Sequence, residues 1–451
     1  MYRSSLLLTL ASVFVLCPSP TAAQLQVPDI PIDTFTLDNG LRVIVSEDHS
    51  APVVSVHMWY HVGSADEEVG RSGFAHLFEH MLFEETENLD DGDFRRYVNE
   101  AGGTFNGSTT NDRTNYFEIM PSNRVNLALW LHAERMGRLV VSERGFETQR
   151  SVVKEERRQR IDNQPYGSAQ LAMDTLSTDY VPYKHTVIGS MDDLDAAQVT
   201  DVRAFHDRLY VPNNAVLTVV GDVTTVQIRE LVGEYFGDFE RGPVKPALPA
   251  APPTPRTDGE RRMEIDDPLA QLPLALMAYN IPPADHEDVF ALSILSSIFS
   301  EGESSRLHVR LVKEEKIAPV VISALNTRVG PGLFFFGSLP NQGSGVEEIE
   351  AILQEEIELL QEEGVTSREL EKAINNVRAS QVTGRLTVNG KANAIQSAVL
   401  NYGDPFRVNT NLARYENVSL ADILRVARTY LTPENRTVVI ARPATRGISE
   451  E

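Results

Sequence analysis

DVRAFHDRLYVPNNAVLTVV, residues 201–220, lies without gaps on DILRVARTYLTPENRTVVIA, residues 422–441. Asp201 and Asp422, Pro212 and Pro433, and Asn214 and Asn435 coincide at one constant offset, and both segments end in a β-branched run. Each reads as a helix, a Pro/Asn turn and a buried strand. Between the copies, PVKPALPAAPPTPRTDGERR (243–262) carries six prolines within residues 243–255. Proline fixes φ and lacks an N–H, so neither a helix nor a central strand runs through such a stretch. It reads as an extended, semi-rigid linker. A repeated helix–turn–strand on either side of a linker predicts a duplicated domain, with one copy in 24–242 and the other in 263–451.

Working outward, TFTLDNGLRVIVSED (34–48) predicts a hairpin around Asn39-Gly40, and PVVSVHMWYHVG (52–63) a further strand. TFNGSTT and TNYFEIM flank the turn Asn111-Asp112-Arg113 as two more strands, while 122–139 and 143–161 have helical periodicity. In the second copy, Val346, Ile349, Leu353, Ile357 and Leu360 fall on one helical face. Gly364 stops that helix, Thr366 and Glu369 cap the next, and the glutamate-rich face is expected in solvent. Strands and helices interleave in both halves, so the fold class is α+β.

The chain has 451 residues, 64 Asp+Glu against 41 Lys+Arg for a net charge of −23, and 42% hydrophobic residues. That length suffices for two or three cores, and the apolar fraction excludes a disordered acidic chain. The negative charge argues against nucleic acid or an anionic membrane surface as the main partner. A single cysteine excludes an internal disulfide framework and any cysteine-based metal cluster. Residues 1–23 read as a signal peptide: Arg3, the apolar run Leu6 to Leu16, then Thr21-Ala22-Ala23 for cleavage after Ala23. The run is too short to span a membrane, and no later stretch approaches the length needed. A periplasmic or secreted location is therefore expected.

The chemistry concentrates in Gly73-Phe-Ala-His76-Leu-Phe-Glu79-His80-Met-Leu-Phe83. On a helix, His76 and His80 stand one turn apart on one face, so both imidazoles reach one metal ion. Glu79 precedes the second histidine, which leaves its carboxylate free to take a proton from water rather than close the coordination shell. This is the inverted zinc-peptidase spacing, His-x-x-Glu-His. A catalytic zinc needs a third protein ligand, and the helix around Ser151-Val-Val-Lys-Glu155-Glu156-Arg157-Arg158 offers two adjacent glutamates. Val152, Val153 and Glu156 share a face, whereas Glu155 turns toward Arg158 and solvent. Glu156 is the expected ligand. His57, His61 and His132 are expected in packing or at the surface, Asp112 and Arg113 in a turn, and Tyr116 in the core.

These residues resemble the pitrilysin / insulin-degrading enzyme / mitochondrial processing peptidase family of zinc metallopeptidases. The resemblance runs through His76-Leu-Phe-Glu79-His80 and Glu156, Gly102-Gly-Thr-Phe-Asn106-Gly107 to Tyr116, Tyr210-Val-Pro-Asn-Asn214, and Gly302-Glu-Ser-Ser-Arg306-Leu. It implies two homologous domains, each a mostly antiparallel sheet backed by helices. It further implies one zinc ion per chain on His76, His80 and Glu156, Glu79 as general base, and peptide substrates. The segment Thr104–Thr109 matches the family's edge strand, so Asn106 and Gly107 would bond the substrate's main chain.

Two departures bear on partners. Relatives that act alone carry an Arg and a Tyr after the Gly-x-x-Ser-Ser-Arg-Leu segment to hold the developing oxyanion. Here Val312 and Pro319 stand at those positions, and Arg310 is two residues early. The family also encloses its chamber with four such domains, and this chain has two. Both point to a second, homologous subunit that lacks the zinc motif and supplies the Arg/Tyr pair, with a homodimer as the alternative. Glu85 replaces a usual glycine. Gln149 replaces a glutamate and is expected in the outer shell of the metal, where it cannot raise ligand basicity as a carboxylate does. The leading function is a zinc endopeptidase; the competing ones are a non-catalytic scaffold and a peptide-trapping subunit.

Overall fold

The computed structural model describes residues 27–444, so the expected signal peptide lies outside the described residues. The first half runs β1 (Asp33–Thr36), β2 (Arg42–Glu47), β3 (Val53–Tyr60), α1 (Phe74–Met81), α2 (Asp93–Glu100), β4 (Thr104–Thr109) and β5 (Thr114–Pro121). It continues through α3 (Val125–Gly137), α4 (Glu143–Arg157), α5 (Gly167–Leu176), α6 (Met191–Ala196), α7 (Val199–Leu209), β6 (Ala215–Gly221) and α8 (Thr225–Phe236). The second half runs β7 (Arg261–Asp267), β8 (Leu274–Ile281), α9 (Asp288–Ser300), β9 (Val320–Asn326) and β10 (Gly332–Leu339). It closes with α10 (Val346–Glu363), α11 (Ser367–Gly384), α12 (Val388–Tyr402), α13 (Arg407–Glu416), α14 (Leu420–Tyr430) and β11 (Arg436–Pro443).

Two sheets result, ordered β1-β2-β6-β3-β5-β4 and β7-β11-β8-β10-β9. Leaving out β1, the two orders correspond strand for strand. In each, one pair is parallel (β2 with β6, β7 with β11) and the rest are antiparallel. The expected α+β class is the one observed. Each sheet packs one face on its own helices. Val43, Val56 and Leu217 meet Leu77, Leu129 and Val202 in the first core, and Met277, Phe334 and Val438 meet Leu295, Leu353 and Val426 in the second.

The aligned segments fold alike. α7 and α14 each end in a short turn beginning at Pro212 or Pro433, then enter β6 or β11, an interior strand of its sheet. The paired asparagines explain the match. Asn214 Nδ2 donates to the carbonyl of Leu209 at 2.8 Å and of His61 at 3.4 Å; Asn435 Nδ2 donates to Tyr430 at 2.7 Å and Asn280 at 2.9 Å. Each ties a helix's last carbonyl to the neighbouring strand, satisfying buried acceptors that would otherwise be orphaned.

The halves also exchange helices. α12 lies on the other face of the first sheet, setting Val388, Ala392, Ile395 and Val399 against Ile44, Val216 and Val220. α5 does the converse, packing Ala169 and Met173 on Ala278, Val439 and Ala441 of the second sheet. The Pro-rich stretch ends two residues earlier than its composition suggests. Arg261 and Arg262 already pair with Thr437 and Val438 as β7, an edge strand, where they are held by Asp179 and by Glu260 and Glu350. The helix read within 345–364 is present as Val346–Glu363 and the next begins after Thr366, with Gly364 at φ +77° between them and the Thr366/Glu369 capping box formed.

Equivalent clefts open at one end of each sheet. In the first half α1, α4 and the edge strand β4 line it; in the second α9, α11 and the edge strand β9 do so. The second cleft carries Ser293, Ser296 and Ser297 at the same i, i+3, i+4 spacing as His76, Glu79 and His80, with Asn376 of α11 donating to Ser297 at 3.5 Å.

Candidate metal centre

α1 is short because the chain turns sharply at both ends. Gly73 precedes it at φ +94°, and a Cβ there would meet the Ile188 carbonyl at 2.7 Å, so only glycine fits. Phe74, Leu77, Phe78 and Met81 bury the helix against the sheet, which turns His76, Glu79 and His80 toward α4 and β4. α4 starts on the Ser142 cap and buries Phe146 and Val153. It passes into a π turn at Arg158–Asp162 two residues after Glu156, the kind of local unwinding that re-aims a side chain. Val152, expected on the inward face, is instead 43% exposed on the rim of the cleft. The segment 189–193 brackets the two helices. Asp193 accepts from the Ser72 amide at 3.0 Å beside the start of α1, while Arg157 of α4 donates to the Gly189 carbonyl.

Glu156 Oε2 stands 3.2 Å from His80 Nε2 and 3.6 Å from His76 Nε2. The three donor atoms lie within 4.8 Å of one another, the only such group of His, Cys, Asp and Glu among the described residues. Ligands about 2.0–2.1 Å from a tetrahedral zinc stand roughly 3.3 Å apart, and the two distances from Glu156 are close to that spacing. Burial, then the neighbouring His80, pushes the His76 imidazole down to about 4, which keeps it neutral and able to ligate. The bond from His80 holds Glu156 below its ordinary value despite burial, so it is anionic. Two imidazoles and one carboxylate form a borderline nitrogen and oxygen set that suits zinc, and the cleft leaves a fourth position open.

Glu79 is not part of that group. Burial raises its carboxyl above the ordinary range, and Thr109 Oγ1 of β4 donates to its Oε2 at 2.7 Å. A carboxylate beside, but outside, the ligand cluster is placed to exchange a proton with water. The cleft around the group has a volume of about 1160 Å³.

Asn106 and Gly107 lie on β4, at the outer edge of the sheet. The Gly107 amide donates to Asn106 Oδ1 at 2.9 Å, so it is not committed to β5. A Cβ at Gly107 would press on Glu79 Cγ and Phe83 at 3.2 Å each. Gln149 lines the cleft but donates to Glu84 at 2.7 Å, and no hydrogen bond runs from it to His76, His80 or Glu156. The outer-shell contact that does form is Arg160, 2.8 Å from Glu156 Oε1. Its i+4 spacing from Glu156 was available in the sequence. Thr109 carried no such signal, since it meets Glu79 only when β4 lies along α1.

His57 is buried and bonds Asn389 at 2.8 Å, and His132 pairs with buried Glu118 at 2.6 Å; neither approaches the metal group. Tyr116 is in the core as expected, its hydroxyl donating to the Phe78 carbonyl. Asp112 does more than shape a turn: it accepts from the Tyr183 hydroxyl at 2.6 Å and from the Val329 amide of the second half at 3.0 Å.

Comparison with known proteins places the chain in a lineage. Residues 42–185 match the description Insulinase (Peptidase family M16), and residues 196–377 match Peptidase M16 inactive domain. A zinc protease of Helicobacter pylori, PqqE, is 31% identical over 412 residues, covering 91% of this chain and 93% of its own. The crystal structure of a protease from Helicobacter pylori superposes with a TM-score of 0.87 at 31% identity, over 92% of this chain and all of that one. The periplasmic protease PqqL of Escherichia coli shares the fold, with a TM-score of 0.75 at 18% identity, across 92% of this chain but only 48% of that one.

Proposed function

This chain belongs to the M16 (insulinase) family of peptidases, and from that membership we propose that it is a zinc-dependent endopeptidase acting on peptides or unfolded polypeptide segments. The observation that carries the proposal is the convergence of His76, His80 and Glu156 beside a separate, protonatable Glu79 and an edge strand. His76, His80 and Glu156 would hold the ion, which when bound supplies a Lewis acid for the scissile carbonyl and acidifies a water. Glu79 takes the proton from that water and passes it to the leaving amine, with Thr109 fixing which oxygen faces the cleft. An extended substrate adds to β4, and the Gly107 amide exchanges Asn106 Oδ1 for a substrate carbonyl.

Oxyanion donors come from elsewhere. Arg310, two residues before the expected arginine position, is held by Glu315 and Glu355, and Val312 and Pro319 have no donating side chain. A homologous subunit without the metal motif, contributing an Arg/Tyr pair, completes the site in this reading. That the fold spans 48% of the PqqL chain is in keeping with a half-chamber that needs a second half. The working location is periplasmic or extracellular, after removal of residues 1–23.

The test is cleavage of a quenched fluorescent peptide library, with zinc measured on the same sample, for the wild type and Glu79→Gln. The expected result is zinc retained in both and a rate lower by roughly 10²–10⁴-fold in the variant. Equal rates in the two proteins would remove Glu79 as the base. Zinc bound without cleavage by the wild type, even after addition of a homologous motif-less partner, would favour the peptide-trapping or scaffold reading.

A further inference from the structure

α1 has eight residues, little more than two turns, and helices of that length do not hold themselves together in water. Its Gly73 cap has no side chain with which to satisfy the first amides. Two buried charged residues outside the metal group supply what the helix lacks. At the N-terminus, Glu67 Oε2 accepts from the Gly73 amide at 2.9 Å and Oε1 from the Ala75 amide at 2.8 Å. The Glu67 side chain is 0% exposed, and His185 Nε2 stands 3.0 Å from it. At the C-terminus, Arg135 Nε of α3 donates to the Leu82 carbonyl at 3.1 Å. Arg135 is 1% exposed, pairs with Glu118 at 2.8 Å, and has its guanidinium 4.0 Å from the centre of the Phe94 ring and 4.8 Å from that of Phe83.

The signs match the helix. An anion sits at the end where amides point outward and a cation at the end where carbonyls do, so both interactions favour this one placement of α1 along its axis. Neither charge is spare: moving the helix by a turn would leave a carboxylate and a guanidinium buried without their partners. Between the two clamps lie His76, Glu79 and His80, whose reach to Glu156 depends on where α1 stops and starts. We propose that Glu67 and Arg135 are positioning residues that fix the metal helix at its two ends, so that the His76 and His80 Nε2 atoms meet Glu156. The inference rests on the reading of that group as a metal site. His185 acts at one remove, by holding Glu67, and Glu118 likewise by holding Arg135.

Cobalt(II) tests this without recourse to cleavage. The wild type, Glu67→Gln, Arg135→Lys and His185→Gln are stripped with a chelator and titrated with cobalt, following the visible absorption of the bound ion. Ile440→Val, in the second core, serves as a control of small stability loss away from α1. Glu67→Gln and Arg135→Lys are each expected to bind cobalt about 10–100-fold more weakly with a shifted absorption band, as outer contacts of metal ligands do. His185→Gln shifts in the same direction by less, and Ile440→Val leaves affinity and band unchanged. Wild-type affinity and spectrum in folded Glu67→Gln and Arg135→Lys would overturn the proposal. If those two do not fold, His185→Gln decides it, an unchanged band counting against. A control that weakens cobalt as much as the clamp variants would reduce the clamps to general stability and overturn it too. Failure of the wild type to bind cobalt would instead overturn the metal reading itself.

Discussion

Thr109 holds Glu79 by a single hydroxyl, and that bond is the contact through which the edge strand addresses the proposed base. Thr109→Val keeps the shape and removes the donor, so kcat is expected to fall about tenfold with KM little changed, because the carboxylate loses its fixed orientation while the strand remains. A fall in affinity instead, read from full Michaelis curves, would assign Thr109 to substrate binding. Gly107→Val is expected to do more, since its side chain would enter the space of Glu79 and Phe83; loss of activity with zinc retained is the outcome to look for. Such contacts mark the limit of what the sequence disclosed. His76, Glu79 and His80 were legible because helical spacing alone puts them together, and Glu156 because only one of two adjacent glutamates could face inward. Thr109, Glu67 and Arg135 belong to elements whose meeting is a tertiary event, and nothing in their local spacing announces it.

Among the elements, the helix–turn–strand unit was the most readable, and its reason is now physical. Pro212 and Pro433 start the turn, and Asn214 and Asn435 use a side-chain amide to join a helix end to a strand. Asn435 is the deeper of the two and also accepts from the amides of Arg256 and Asn280, at 2.9 and 3.3 Å. Asn435→Ala is therefore expected to cost about 2–3 kcal/mol in urea unfolding, more than Asn214→Ala, each leaving buried carbonyls unpaired. Equal and small losses would make the shared asparagine a relic rather than a fastener. Gln149 illustrates the opposite case. Its place in the chain suggested a hydrogen bond to a metal-binding side chain, but Gln149 reaches Glu84 instead, and Arg160 on the π turn is the residue that meets Glu156.

On the scale of the whole molecule, buried histidines link the fold to pH. Burial pushes both His57 and His61 down to about 4, against about 6.5 in an unfolded chain. Between those values the unfolded chain binds protons that the folded one refuses, so stability is present above about pH 6.5 and is lost as pH falls toward 4. In a His76→Ala/His80→Ala background, which removes the two proposed metal-binding imidazoles, each of the two should lower unfolding free energy by about 1.5 kcal/mol between pH 6.5 and pH 5. A flat profile in denaturant titrations would mean that both take up protons in the folded state. The exchange of α5 and α12 makes a second demand. Neither half covers both faces of its own sheet, so the two should unfold in one transition, and residues 27–242 alone should associate or aggregate through Ile44, Val216 and Val220.

That exchange also carries a history. If a one-domain founder gave rise to both halves, it would have had to pair with a copy of itself, each copy handing the other a helix, as a domain-swapped dimer. Joining two such copies by the proline-rich stretch made the pairing independent of concentration. In such a pair one working cleft suffices, and serines at 293, 296 and 297 stand where the twin keeps two histidines and a glutamate.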